Sequence, residues 1–103
     1  MSKPRSELTA KFKEILGNDN VYFQPPESVK LKYECIIYKD VSPYTMRANN
    51  YVYILQHKYQ ITYITSNPIS LIVDKMLREF QMIDRVNDFV SDGLYHYVYE
   101  LYF

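Results

Sequence analysis

A chain of 103 residues with 48% apolar side chains fits one domain, and it is too apolar for a disordered tail. Twelve basic and twelve acidic side chains cancel, which argues against free DNA or RNA binding, where a basic excess or stripe is the rule. A lone cysteine, Cys35, excludes an intramolecular disulfide and a Cys-based zinc site.

Aromatic content is the compositional outlier. Seventeen per cent of the chain is aromatic, with twelve Tyr and five Phe, a load that suits half-buried sheet faces and protein interfaces. No stretch approaches membrane-spanning length, and Met1 to Glu7 has no apolar signal core, so the expectation is a protein assembled in a cytoplasm.

The first predicted element is a helix from Ser6 to Leu16. Leu8, Phe12, Ile15 and Leu16 fall at i, i+4, i+7 and i+8, a single apolar stripe, with Ser6 as N-cap and Gly17 past the end. Val21 to Phe23 reads as a short strand stopped by Gln24-Pro25-Pro26, an edge or rigid turn, since prolines cannot donate to a ladder. Val29 to Lys39 reads as a second strand, with Leu31, Tyr33, Cys35 and Ile37 on one face. Ile36 and Tyr38 make the other face apolar too, so both sides are expected to be covered. Cys35 is read as a buried structural thiol.

Asp40 to Asn50 is the longest irregular stretch. Turn formers Asp40, Ser42, Pro43, Asn49 and Asn50 surround Tyr44, Met46 and Arg47, residue types enriched at interfaces. Tyr44, Met46 and Arg47, with Gln24 outside the loop, are the candidate interface residues. The alternative is that Tyr44 and Met46 fold back onto the domain's own core.

Tyr51 to Thr65 reads as a long strand. A second helix is expected after it, with Asn67 as N-cap, Pro68 at its first position and a stripe of Ile69, Ile72, Val73, Met76, Leu77 and Phe80. Met82 to Val90 and Leu94 to Phe103 read as two closing strands joined by the hairpin turn Asp92-Gly93. The order is α-β-β-β-α-β-β, an α+β domain over residues 1–103 with an antiparallel or mixed sheet carrying two helices.

Chemistry is hard to find in this pattern. His57 and His96 sit on separate strands with no metal-ligand spacing; His57 is expected to be exposed and His96 to anchor the last hairpin through a hydrogen bond. Asp84 and Asp88 flank Arg85, which by spacing alone is a poor acid–base pair. Two glycines cannot build a phosphate-cradling loop, and nothing marks a nucleophile elbow. The reading is a non-enzyme with no metal and no cofactor.

Several strings together resemble small neck and tail proteins of long-tailed bacteriophages, over about residues 8 to 103. They are Tyr22-Phe23-Gln24-Pro25-Pro26-Glu27-Ser28, then Leu31-Lys32-Tyr33 and Ile36-Ile37-Tyr38. Further on come Tyr59-Gln60-Ile61-Thr62-Tyr63-Ile64 before Asn67-Pro68 and Asp74-Lys75, then Asp92-Gly93-Leu94-Tyr95-His96-Tyr97 and Leu101-Tyr102-Phe103. The sequence departs from that pattern at Glu34, where Pro is common, and at Asn67, where Asp is common. The resemblance implies a compact α+β sandwich acting as a tail terminator, or tail-to-head joining protein. Such a virion protein forms a homo-oligomeric ring, usually a hexamer, on the head-proximal end of the tail tube. The ring ends tube polymerisation and offers a docking surface to the head connector, and DNA passes through its lumen without specific binding. Other neck or connector components, a Tyr-rich nucleic-acid-binding module and a toxin-like small nuclease are the alternatives, in that order.

Overall fold

The computed structural model describes residues 5–41 and 57–103. They form an α+β domain in which α1 (Arg5–Leu16), β1 (Val21–Phe23), β2 (Cys35–Asp40), β3 (Lys58–Thr65), α2 (Ile72–Glu79), β4 (Ile83–Ser91) and β5 (Leu94–Tyr102) follow in chain order. The five strands make one mixed sheet in the order β1-β2-β3-β5-β4; only the β1–β2 pair is parallel.

Helix α1 buries the stripe its spacing dictates: Leu8, Phe12, Ile15 and Leu16 are all inside. Ser6 lies within the helix instead of capping it, because the helix already includes Arg5. Gly17 ends it at φ +82°, a left-handed conformation that glycine adopts without a Cβ clash, while its N–H returns to the Lys13 carbonyl at 2.8 Å.

Parallel pairing of Val21 with Ile36 and Phe23 with Tyr38 explains why the second strand is shorter than the alternation predicts. Parallel neighbours need a crossover of about a dozen residues, and residues 24–34 are used for it. Leu31 and Tyr33 therefore lie outside the sheet, and the strand begins at Cys35. The crossover is tied down at both ends. Lys32 donates its N–H to the Tyr22 hydroxyl at 3.2 Å, and the Glu34 carbonyl accepts from Asn20 Nδ2 at 3.2 Å. The Glu34 carboxylate accepts from Thr65 Oγ1, which is fully buried at the end of β3.

The second helix is also corrected. It starts at Ile72, four residues after Pro68. Asn67 Oδ1 accepts from the N–H of Ile69 at 2.9 Å, and Ser70 Oγ from that of Ile72 at 3.2 Å, so these side chains stabilise successive turns in place of a helical cap. Only Val73, Met76 and Phe80 of the expected stripe are buried; Ile69 is 81% exposed and Leu77 also faces outward. Of the expected strand from Tyr51, residues 58–65 are in β3 and 51–56 lie outside the described residues.

Both helices cover the same sheet face. Their buried residues join Ile36, Tyr38, Tyr59, Ile61, Tyr63, Tyr99, Leu101 and Phe103 in a single core. Tyr38 lies at its centre, within 5.1 Å of the Phe12 ring, 5.0 Å of Phe23 and 5.8 Å of Tyr59, mostly edge-on, as ring quadrupoles favour. Its hydroxyl shares a hydrogen bond with Thr9 Oγ1. On the opposite face Cys35 is fully buried and Ile37 half-buried, so β2 is covered on both sides as its composition implies.

Two substitution-level consequences follow from this core. Phe12→Ala should cost about 3–5 kcal/mol, because the ring contacts Tyr38 and Phe80 and leaves a cavity between helix and sheet; chemical denaturation would measure it. Alkaline titration is a second test. Burial pushes the Cys35 thiol up to about 11 and the Tyr63 phenol up to about 12, and raises Tyr59 and Tyr99 as well. The folded chain then holds protons that the unfolded chain has released, so stability is fully present below about pH 9 and falls as pH rises towards 12. Cys35→Ala should flatten the first part of that fall, measured as denaturation midpoint against pH, and in the wild type Cys35 should resist thiol reagents until the chain unfolds.

Candidate interaction surface

Two surfaces stand out once the core is accounted for. The first is a groove of about 630 Å³ on the helix-free side, between the crossover residues Pro25, Pro26, Val29 and Leu31 and the strand residues Ile37 and Lys39. Gln24 stands at its end, at φ +44°. Its N–H donates to the Tyr38 carbonyl at 3.0 Å, extending the β1–β2 ladder, and its Oε1 accepts from the N–H of Asp40 at 3.2 Å. Asp40 is where the candidate loop leaves the sheet, and its carboxylate also meets His57 Nδ1 at 3.1 Å. Gln24 and His57 thus brace the root of the 40–50 segment. Tyr44, Met46 and Arg47 themselves lie outside the described residues.

The second surface is β4, a nine-residue strand at one edge of the sheet. Val86, Phe89 and Val90 are exposed along it, Val90 by 63%, and Met82 is exposed just before it. Asp92 and Gly93, at φ +53° and +74°, make the tight two-residue turn to β5 that the Asp-Gly pair predicts. A bulge between Arg85 and Asn87 shifts the β4–β5 register. In a regular strand, residues i and i+3 lie on opposite faces. Here the extra residue, Val86, brings Arg85 and Asp88 to the same helix-side face, opposite Tyr99 and Tyr97. The two form an ion pair at 3.4 Å, and the Arg85 guanidinium lies 5.1 Å from the centre of the Tyr97 ring. Asp84 lies on the other face, across from Glu100, so the two aspartates flanking Arg85 are not brought together.

The histidines are placed apart. His57 is partly exposed beside Asp40. His96 bonds the Leu94 carbonyl through Nδ1 at 3.0 Å and stacks on Phe89, ring centres 4.7 Å apart, which anchors the hairpin as expected. Among the described residues no three His, Cys, Asp or Glu side chains gather as a metal site would need, and no helix is long and apolar enough to cross a membrane. Among the described tyrosines, Tyr38, Tyr59, Tyr63 and Tyr99 are buried, whereas Tyr33 and Tyr102 are exposed.

The exposed β4 edge was the surface that sequence reasoning missed. No local signal marks it: the edge position of β4 follows from the strand order, set by pairing with the later β5. His96→Ala should lower stability by about 1 kcal/mol through loss of the Leu94 bond and the Phe89 stack, read as a shift in denaturation midpoint. Comparison of the chain with family models, with curated proteins and with solved structures found no match in any of the three.

Proposed function

We propose that this chain is a structural virion subunit of a long-tailed bacteriophage, acting as a tail terminator at the junction of tail and head. The resemblance of its strings over most of the chain supports the reading. So does one observation above the others: large apolar side chains are left exposed in clusters, Val86, Phe89 and Val90 along β4 and Ile69 and Leu71 in the turn before α2, as in a protein whose work is contact. In this role six or so copies close into a ring by a head-to-tail contact, end polymerisation of the tail tube and present a face to the head connector. The 40–50 segment, rooted on Asp40 and braced by Gln24, carries Tyr44, Met46 and Arg47 to a neighbouring subunit or to the tube.

A nucleic-acid module using stacked tyrosines has less support. A stacking platform needs free exposed rings on an open sheet face, but on the helix-free face Tyr22 accepts a bond from the crossover and Phe89 is already stacked on His96, which leaves Tyr102 as the exposed tyrosine there among the described residues.

The double substitution Tyr44→Ser with Arg47→Ser tests the assignment. The isolated subunit should keep its melting temperature, while ring formation and tail capping, followed by light scattering and electron microscopy of tails, should fail. A loss of roughly 1–3 kcal/mol in the isolated subunit would show that the loop packs inward, and normal capping by the variant would overturn the role given to the loop.

A further inference from the structure

Strand β4 carries a pattern that the ring reading does not use. The bulge at Val86 gathers Ile83, Arg85, Asp88 and Val90 on the helix-side face of the sheet, since their partners on β5 are Leu101, Tyr99, Tyr97 and Tyr95. Read along the strand, that face is apolar, positive, negative, apolar. Reversed, it is apolar, negative, positive, apolar, its own complement in charge.

We infer that β4 pairs antiparallel with β4 of a second copy across a two-fold axis, with Arg85 opposite Asp88 of that copy. In this register the same match occurs twice, once on each side of the axis. Arg85 faces Asp88, and Ile83 faces Val90, so opposite charges and apolar side chains meet in directly opposed pairs. A slip of two residues in either direction loses both matches: Arg85 then faces Val90, or Ile83 faces Asp88. The Arg85–Asp88 pair, already 3.4 Å apart within one chain, becomes half of an alternating quartet of four charges. A two-fold axis perpendicular to the sheet keeps both helix layers on one side and joins two five-stranded sheets into one of ten.

The same features repel other partners. Charges and a bulge on an edge strand deter indiscriminate pairing, and only a strand with the reversed charge order answers them. The second copy supplies that order by symmetry. The contact extends over about 30 Å of strand, at the small end of specific interfaces, so dimers are expected at micromolar and higher concentrations. A two-fold contact closes on itself at two copies. It does not depend on the ring reading, which assigns its contact to the 40–50 segment.

Sedimentation of the full chain from low micromolar to several hundred micromolar provides the test. The wild type should shift from monomer to dimer. Arg85→Asp and Asp88→Arg, each placing like charges opposite one another twice, should raise the dissociation constant roughly tenfold or more. The combined swap Arg85→Asp with Asp88→Arg restores the complementary order and should recover the dimer. Circular dichroism and melting would show whether each single variant remains folded; if either does not, Val90→Lys, at an exposed site near the strand's end, replaces it and should weaken the dimer likewise. A monomer at all concentrations, a dimer indifferent to these charges, or single variants not rescued by the swap would overturn the inference. Rings formed without a dimer would overturn it while leaving the ring reading standing, and a charge-dependent dimer that never caps tails would do the reverse.

Discussion

The parallel pairing of β1 with β2 is the constraint on which the rest of the fold depends. Two parallel neighbours cannot be joined by a tight turn, so eleven residues cross from one end of the sheet to the other before Cys35 can begin its strand. That crossover runs on the helix-free side, contacts Tyr22 and contributes to a groove with Ile37. It also leaves the β1 edge only three residues long and followed by two prolines, which blunts it. With that edge blunted, the long edge among the described strands lies at the opposite end of the sheet, along β4.

Packing against the helices divides the work among the aromatic residues. Tyr38, Tyr59, Tyr63 and Tyr99 point to the core, and burial raises the phenols of the last three. Two of these hydroxyls find partners at the helix layer: Tyr63 meets Ser70 Oγ at 2.8 Å, and Tyr99 reaches the Val73 carbonyl at 3.5 Å. Tyrosine thus lets a small core hold both the sheet and the two helices, because the rings fill volume while the tips of Tyr38, Tyr63 and Tyr99 bond to a helix or to the turn before it. Among the described residues, seven of the aromatic side chains (Phe12, Tyr38, Tyr59, Tyr63, Phe80, Tyr99 and Phe103) lie inside the core.

Much of this was legible in the sequence, and the reasons for success and failure are physical. Local signals survived: the stripe of α1, the Asp92-Gly93 turn and the alternation in β5 all depend on neighbours within a few residues. Errors came where a distant partner decided. The alternation of Leu31 and Tyr33 is genuine, yet parallel pairing of β1 with β2 requires those residues for the crossover. Asn67-Pro68 is a good helix start, but Thr65 and Ser70 capture nearby N–H groups first and delay the helix to Ile72. The candidate surface divides in the same way. Gln24 was identifiable as a stop before the prolines, whereas the exposed edge of β4 arises only from strand order, which no local pattern encodes.

Strand order also has a consequence for how the chain comes to be folded. β5 is the last element in sequence, yet it lies between β3 and β4 and pairs with both along their lengths. While the chain is being synthesised, β3 therefore has one whole side bare until residues 94–102 emerge, and Tyr99 and Leu101, which complete the core, arrive with them. The nascent helices and first three strands lack those two core residues until then. Such late, long-range pairing slows folding, and it makes the growing chain dependent on whatever shields β3 in the interval.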